Sequence, residues 1–204
     1  MDKPQGRRTC LYDTAELVAI LTDMARQTAG LLTGRERIVI VGLLRRGAPL
    51  AEMLRDRLAQ DYGLSGLPLY KLHVKRYADD LTLLHPETEL AASAEQSALD
   101  LSGASVLVVD DVLYRGHSLL KAVEYLAGKN PAEIRTVVLV DRGVTRLPIR
   151  ADITGIRLDV APRDIIECNV PPYEAEFRID LLRHAEGAVG LKADITLKSK
   201  QPAA

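Results

Sequence analysis

The stretch Val106-Leu107-Val108-Val109-Asp110-Asp111-Val112-Leu113-Tyr114-Arg115-Gly116-His117-Ser118 decides the fold. Val106 to Val109 are four aliphatic residues in a row and read as a strand buried on both faces, as in a parallel sheet. Two adjacent carboxylates, Asp110 and Asp111, stand at or just past its C-terminal end. A short loop containing Gly116 follows, and an amphipathic helix begins near Ser118. Open α/β sheets bind ligands at the carboxyl ends of their strands, which is where this order puts the acids. The N–H groups of the loop and of the helix N-terminus make an anion site. Carboxylates accept from vicinal hydroxyls and attract a hard cation, so the pair suits a ligand that is both a sugar diol and a phosphate ester. A plainer reading is an acid pair capping the next helix or marking a solvated turn. The apolar run before it and the glycine loop after it weigh against that.

Outward from this stretch, apolar periodicity places the other elements. Asp13 and Glu16 form a capping-box pattern, and Leu17, Ile20, Leu21, Met24 and Leu31 recur at helical spacing, so a helix is expected over 14–32 with Gly34 ending it. Ile38 to Gly42 reads as a second buried strand, Leu44-Arg45-Arg46-Gly47 as a turn, and Leu50, Met53, Leu54 and Leu58 line the next helix. A strand is expected from Leu69 to Val74, then a polar region reaching Leu99. Leu119, Val123 and Leu126 share one side of the helix after the acids, which Gly128 terminates. Thr136 to Val140 is another buried strand, ending at Asp141-Arg142-Gly143. Ile156 to Val160 and Ile165 to Val170 are shorter strands, and Pro171-Pro172 breaks the chain. Strands alternating with helices predict an α/β fold with a mostly parallel sheet. Residues 1–187 are expected to form one domain, and 188–204 a polar, Lys-containing tail of disordered composition.

The 204 residues are 47% hydrophobic and 27% charged, an ordinary globular balance. A net charge of −1 gives the chain no overall attraction for nucleic acid, although it leaves room for a local basic patch. With no Trp, one Phe and seven Tyr, stacking platforms for bases are scarce. No apolar run is long enough to span a bilayer, and Met1 to Pro4 lacks the apolar stretch of a signal peptide. Cys10 and Cys168 are far apart in no metal-like spacing, which predicts reduced thiols in a cytoplasmic protein. No Walker A motif, dinucleotide fingerprint, zincin motif or paired CxxC is present.

Residues 106–118 resemble the phosphoribosyl pyrophosphate (PRPP) signature of type I phosphoribosyltransferases. Within that family they look most like the PyrR group, pyrimidine-operon regulators that are also uracil phosphoribosyltransferases. That group runs Asp-Asp-Val-Leu-Tyr into Thr-Gly-Arg-Thr. Asp110 to Tyr114 match, whereas Arg115, His117 and Ser118 replace Thr, Arg and Thr. Leu44-Arg45-Arg46-Gly47 resembles the pyrophosphate loop, with Arg45 in place of Thr. Tyr77, Asp79, Asp80 and Leu81 match the start of the flexible catalytic loop, with Ala78 in place of Arg and with Lys75 and Arg76 as the nearby cations. Val140 to Gly143 and Leu147 to Asp152 also match. The resemblance covers 36–160, and residues 161–204 do not follow the usual PyrR ending.

The resemblance implies a mostly parallel sheet flanked by helices, with a small hood region. It implies transfer of the phosphoribosyl group of PRPP to a nucleobase, with uracil expected, releasing pyrophosphate. Asp110 and Asp111 then meet the ribose hydroxyls directly or through Mg²⁺-bound water, and act in catalysis with Arg76 and Tyr77. Tyr114, Arg115, Gly116, His117 and Ser118 hold the 5′-phosphate, Arg45, Arg46 and Gly47 the pyrophosphate, and Asp141, Arg142 and Gly143 the base. Gly116 lets backbone approach the phosphate, and Ser118 is placed to cap the helix. Arg115 either adds a bidentate phosphate contact or points to solvent while backbone binds. Tyr114 stands where purine-type enzymes carry an Asp that acts on the base, and a phenol with a reference pKa of about 10 is a poor base near neutrality. Leu147 to Asp152 reads as a rigid structural turn set by Pro148. His73, His85 and His184 are isolated and read as surface residues.

Expected partners are PRPP, a nucleobase or nucleoside monophosphate, and a second copy of the chain or a larger homo-oligomer, without a membrane. Two alternatives stay open. One is an RNA-binding regulator sensing nucleotides through the same pocket, with a basic face from Arg135, Arg142, Arg146, Arg150 and Arg157. The other is a purine or nonstandard acceptor.

Overall fold

The computed structural model describes residues 6–74, 100–145, 147–161 and 164–183. In chain order the elements are β1 (Arg7–Tyr12), α1 (Thr14–Leu31), β2 (Ile38–Leu43), α2 (Gly47–Tyr62), β3 (Leu69–Leu72), β4 (Ser105–Leu113), α3 (His117–Ala127), β5 (Glu133–Asp141), β6 (Ile153–Arg157), β7 (Ile165–Asn169) and β8 (Arg178–Arg183). Five strands form one parallel sheet in the order β3-β2-β4-β5-β6.

The continuous apolar runs of the central strands exist because helices cover both faces. Side chains alternate across a strand, so each run feeds two cores. Ile40, Leu107, Val109, Val137 and Leu139 pack with Leu17, Leu21 and Met24 of α1 and with Leu50, Leu54 and Leu58 of α2. Val39, Val41, Val106, Val108 and Val138 pack on the other side with Leu119, Ala122 and Leu126 of α3. The capping box that starts α1 is present. Glu16 donates its N–H to Asp13 Oδ1 and the Glu16 carboxylate accepts the N–H of Asp13, both at 2.9 Å.

Three short strands differ from their expected bounds. β3 stops at Leu72 and β7 at Asn169. β6 covers Ile153–Arg157 rather than 156–160, because Asp152 clamps the strand start. Its Oδ2 accepts from the N–H (2.8 Å) and hydroxyl (3.0 Å) of Thr136, and its N–H returns to the Thr136 carbonyl at 2.9 Å. Ile153 then pairs with Val137.

Two strands, β1 and β8, were not expected at all. They join β7 in an antiparallel sheet, β1-β8-β7, which is the small hood. The β1 sequence, Arg-Arg-Thr-Cys-Leu-Tyr, has no alternating apolar face, and its strand form comes from pairing with β8. Ile166, Cys168, Phe177, Ile179 and Leu181 root the hood in the core shared with α1 and α2. Arg8 pairs with Glu167, and Arg178 and Asn169 both donate to Asp180.

At the N-terminal edge of the main sheet, Glu133 accepts hydrogen bonds from Arg35, Arg135 and Ser105. The Arg35 bond above all, with Ser105 and Arg135 and against partial burial, holds this carboxyl down at about 2, from an ordinary 4.5. Folding therefore favours its ionised form, and the stability it confers is complete above pH 4.5 and lost as pH falls toward 2. Glu133→Gln is expected to cost about 1–2 kcal/mol at pH 7, less than the shift alone implies because the group is partly solvated. Urea unfolding at pH 7 and pH 3 checks this, and a cost that stayed the same at both would remove the carboxylate's charge as the cause.

Candidate active site

β4 does not end before the acids. It continues through them to Leu113, because Asp110, Val112 and Leu113 keep their register with Val138, Val140 and Asp141 of β5. Asp110 and Asp111 are 5% and 3% exposed, and Asp110 Oδ1 accepts the N–H of Asp111 at 2.9 Å.

The next loop is Tyr114-Arg115-Gly116, and α3 opens at His117. Gly116, not Ser118, is the N-cap, and Ser118 lies inside the first turn. The left-handed Gly116 backbone, φ +88°, turns the chain so that its carbonyl accepts from Leu120 N–H at 2.9 Å. A Cβ on Gly116 would sit 2.6 Å from Ile149 Cγ2, so glycine is required here by packing as well as by φ. Leu147 and Ile149 of the Leu147–Asp152 segment thus pack against the loop. Gly116 makes no side-chain cap to the first turn of α3, and a helix N-terminus of this kind favours an anion.

Tyr114 is gripped by cations. The Arg142 guanidinium lies 4.3 Å and that of Arg115 5.2 Å from its ring centroid. Arg142 is buried and donates from Nη2 to the Asp164 carbonyl at 2.9 Å. Its N–H bonds the Leu113 carbonyl, and Gly143 N–H bonds Asp141 Oδ1. In the expected base-binding turn, the Gly143 N–H therefore closes the turn on Asp141, while the Arg142 N–H and side chain tie it to Leu113, Tyr114 and Asp164.

The loop at residues 44–47 meets the acids from β2. A Cβ on Gly47 would lie 2.7 Å from the Val109 carbonyl and 2.9 Å from Asp110 Cα, so only glycine permits this approach. Arg45 lies 5.0 Å from the Tyr173 ring centroid. Arg46 Nε reaches both carboxylate oxygens of Glu174 at 3.2 Å, and Nη2 reaches Oε1. Burial pushes the Glu174 carboxyl up, but bonds from Arg46 and the Val170 N–H, with the charges of Arg46 and Arg45, outweigh it and leave the group below its ordinary value. Bonding to Glu174, with help from the nearby charge of Asp111, raises Arg46. Nothing local in the sequence marks Tyr173 or Glu174, which follow a proline pair and reach a loop far away in the chain.

The structure thus brings together Asp110 and Asp111, the 114–118 loop and the 45–47 loop, with 141–143 beside them at the end of β5. Arg76 and Tyr77 lie outside the described residues, as do His85, His184 and Arg146. His73 is exposed. Of the other arginines of the expected basic face, Arg135 is paired with Glu133 and Asp152, whereas Arg150 and Arg157 are exposed.

Among the described residues no group of three His, Cys, Asp or Glu could enclose a metal ion. Two adjacent carboxylates fit Mg²⁺ nonetheless, because this ion keeps several waters and binds one or two carboxylates plus substrate phosphates.

Comparison with known proteins settles the family. The phosphoribosyl transferase domain matches residues 8–176. The chain belongs to this family. It is 32% identical over 174 residues to the bifunctional protein PyrR of Actinobacillus pleuropneumoniae serotype 5b, spanning 85% of this chain and 96% of that one. It is 31% identical over 178 residues to bifunctional protein PyrR of Haemophilus ducreyi, spanning 87% and 98%. A solved hypoxanthine phosphoribosyl transferase of Trypanosoma cruzi superposes with a TM-score of 0.70 at 18% identity, covering 90% of this chain and 95% of that one. That likeness gives this phosphoribosyltransferase its type I fold. No helix among the described residues is long and apolar enough to cross a membrane.

Proposed function

We propose that the protein transfers the phosphoribosyl group of PRPP to uracil, releasing pyrophosphate. The observation that carries this reading is the close approach of Gly47 to Val109 and Asp110, which joins a basic loop to the acid pair beside the N-terminus of α3. Ribose, pyrophosphate and 5′-phosphate then each have a matching surface. The base nitrogen forms its bond to C1 and gives up its proton to solvent as the C1–O bond to pyrophosphate breaks, with inversion at C1. Asp110 and Asp111 hold the ribose 2′- and 3′-hydroxyls and face the ring as it gains positive charge. Arg45, Arg46 and the Gly47 backbone take the charge that develops on the leaving pyrophosphate. Mg²⁺, held by Asp110 and Asp111 through water, would neutralise pyrophosphate oxygens. The first turn of α3 binds the 5′-phosphate mainly by backbone, with Arg115 drawn toward Tyr114.

Uracil is preferred because Tyr114 stands where purine-type enzymes carry an Asp and the chain is similar to PyrR proteins. Initial rates of PRPP consumption with uracil, hypoxanthine, guanine, xanthine, adenine and orotate test this. Uracil is expected to be fastest, and faster turnover of hypoxanthine or guanine would overturn the pyrimidine assignment. The RNA-binding reading ranks second, since Arg142 is buried and Arg135 is paired.

A further inference from the structure

The turn between β7 and β8 lies against the 44–47 loop and engages both of its arginines, Arg45 through the Tyr173 ring and Arg46 through the Glu174 carboxylate. The Nε and Nη2 edge of Arg46 is the edge a guanidinium uses to grip a phosphate in a two-point bond. Here a carboxylate of the same chain fills it. Glu174 is itself held in place. Its Oε2 accepts the Val170 N–H at 3.0 Å, and the Val170 carbonyl accepts from the N–H groups of Tyr173 (3.2 Å) and Glu174 (3.4 Å). The Arg46 side chain is 32% exposed and that of Glu174 18%, so the pair is sheltered rather than loose on the surface.

We propose that Glu174 is a positioning residue that competes with pyrophosphate for Arg46, surrendering the guanidinium when PRPP binds and reclaiming it as pyrophosphate departs. The proposal rests on the reading of residues 45–47 as the pyrophosphate loop. A polyanion outcompetes a single carboxylate at contact distance, but it must first displace the existing pair. Its apparent affinity is the intrinsic affinity multiplied by the fraction of time Arg46 is already released. Departure gains in turn, because Arg46 is not left as a sheltered cation without a partner. The hood thus favours release of the product that would otherwise hold the loop most tightly.

Binding of inorganic pyrophosphate with Mg²⁺ to the full chain, measured by titration calorimetry, tests this in Glu174→Gln, Glu174→Asp and Arg46→Ala. Glu174→Gln removes the competing charge at constant shape, and Glu174→Asp keeps the charge but withdraws it by one methylene. Both are expected to tighten pyrophosphate binding, about tenfold for Gln, the strength of one charge-assisted hydrogen bond. In turnover, KM for PRPP and kcat should fall together, since substrate binding tightens and release slows. A purely structural role for Glu174 would lower thermal stability without tightening pyrophosphate. If Arg46→Ala weakens pyrophosphate while the Glu174 variants leave it unchanged or weaker, the competition is refuted and the loop keeps its role. If Arg46→Ala also changes nothing, the pyrophosphate reading of the loop falls and the proposal with it. Should Glu174→Gln not fold, Glu174→Asp decides by the same readings.

Discussion

Replacing Asp110 and Asp111 together by Asn is expected to reduce PRPP-dependent turnover by roughly a thousandfold or more, with the fold retained. Both side chains are almost fully buried, so the change must keep their shape if it is to report on charge. Asn does so, and an amide oxygen can still accept the Asp111-position N–H as Asp110 Oδ1 does. On the proposed reading, what disappears is negative charge beside the ribose and the capacity to hold Mg²⁺. The effect should appear in calorimetric PRPP binding as well as in turnover, with a circular dichroism spectrum like that of the unaltered protein. Equal PRPP affinity in the double variant would remove the acid pair from the site.

Gly116→Val is expected to destabilise the protein by about 2–5 kcal/mol. Forcing a branched residue into the left-handed region costs roughly 1–2 kcal/mol and overpacking a filled position 1–3 kcal/mol. The collision is with Ile149, whose Cγ2 would lie 2.6 Å from the new Cβ. For a chain of this size that is a fall of roughly 4–20 °C in Tm. Ile149→Ala in the same chain should recover the steric part and leave the conformational part. A double variant no more stable than Gly116→Val would mean that the contact with Ile149 does not matter. The glycine loop therefore cannot be tested as a phosphate cradle by enlarging Gly116 alone, because structure and binding fail together there. Ser118, at the second position of α3, is the better place to separate them.

Much of the site was legible because its logic is local. The apolar run from Val106, the acids, the loop and the helix follow one another in the chain. Strand burial, helix periodicity and the positive φ of a glycine act within a turn or a strand. The basic turn at 44–47 was legible for the same reason, at the end of another apolar run. The cap of α3 was misplaced because a left-handed glycine and a hydroxyl residue two positions later both satisfy a helix start, and only backbone geometry separates them.

By itself the sequence determined the alternating α/β order, the two buried faces of the central strands, the capping box at Asp13 and the charge at the end of β4. Each follows from neighbours a few residues apart. Only the tertiary structure decided the hood, in which a polar β1 becomes a strand by pairing with β8 from the far end of the domain. It alone brought Arg142 over Tyr114, Ile149 against Gly116, and Glu174 to Arg46 across 128 residues. These contacts leave no periodic or local signal, because they join surfaces that exist only once the sheet has aligned its strand ends on one edge.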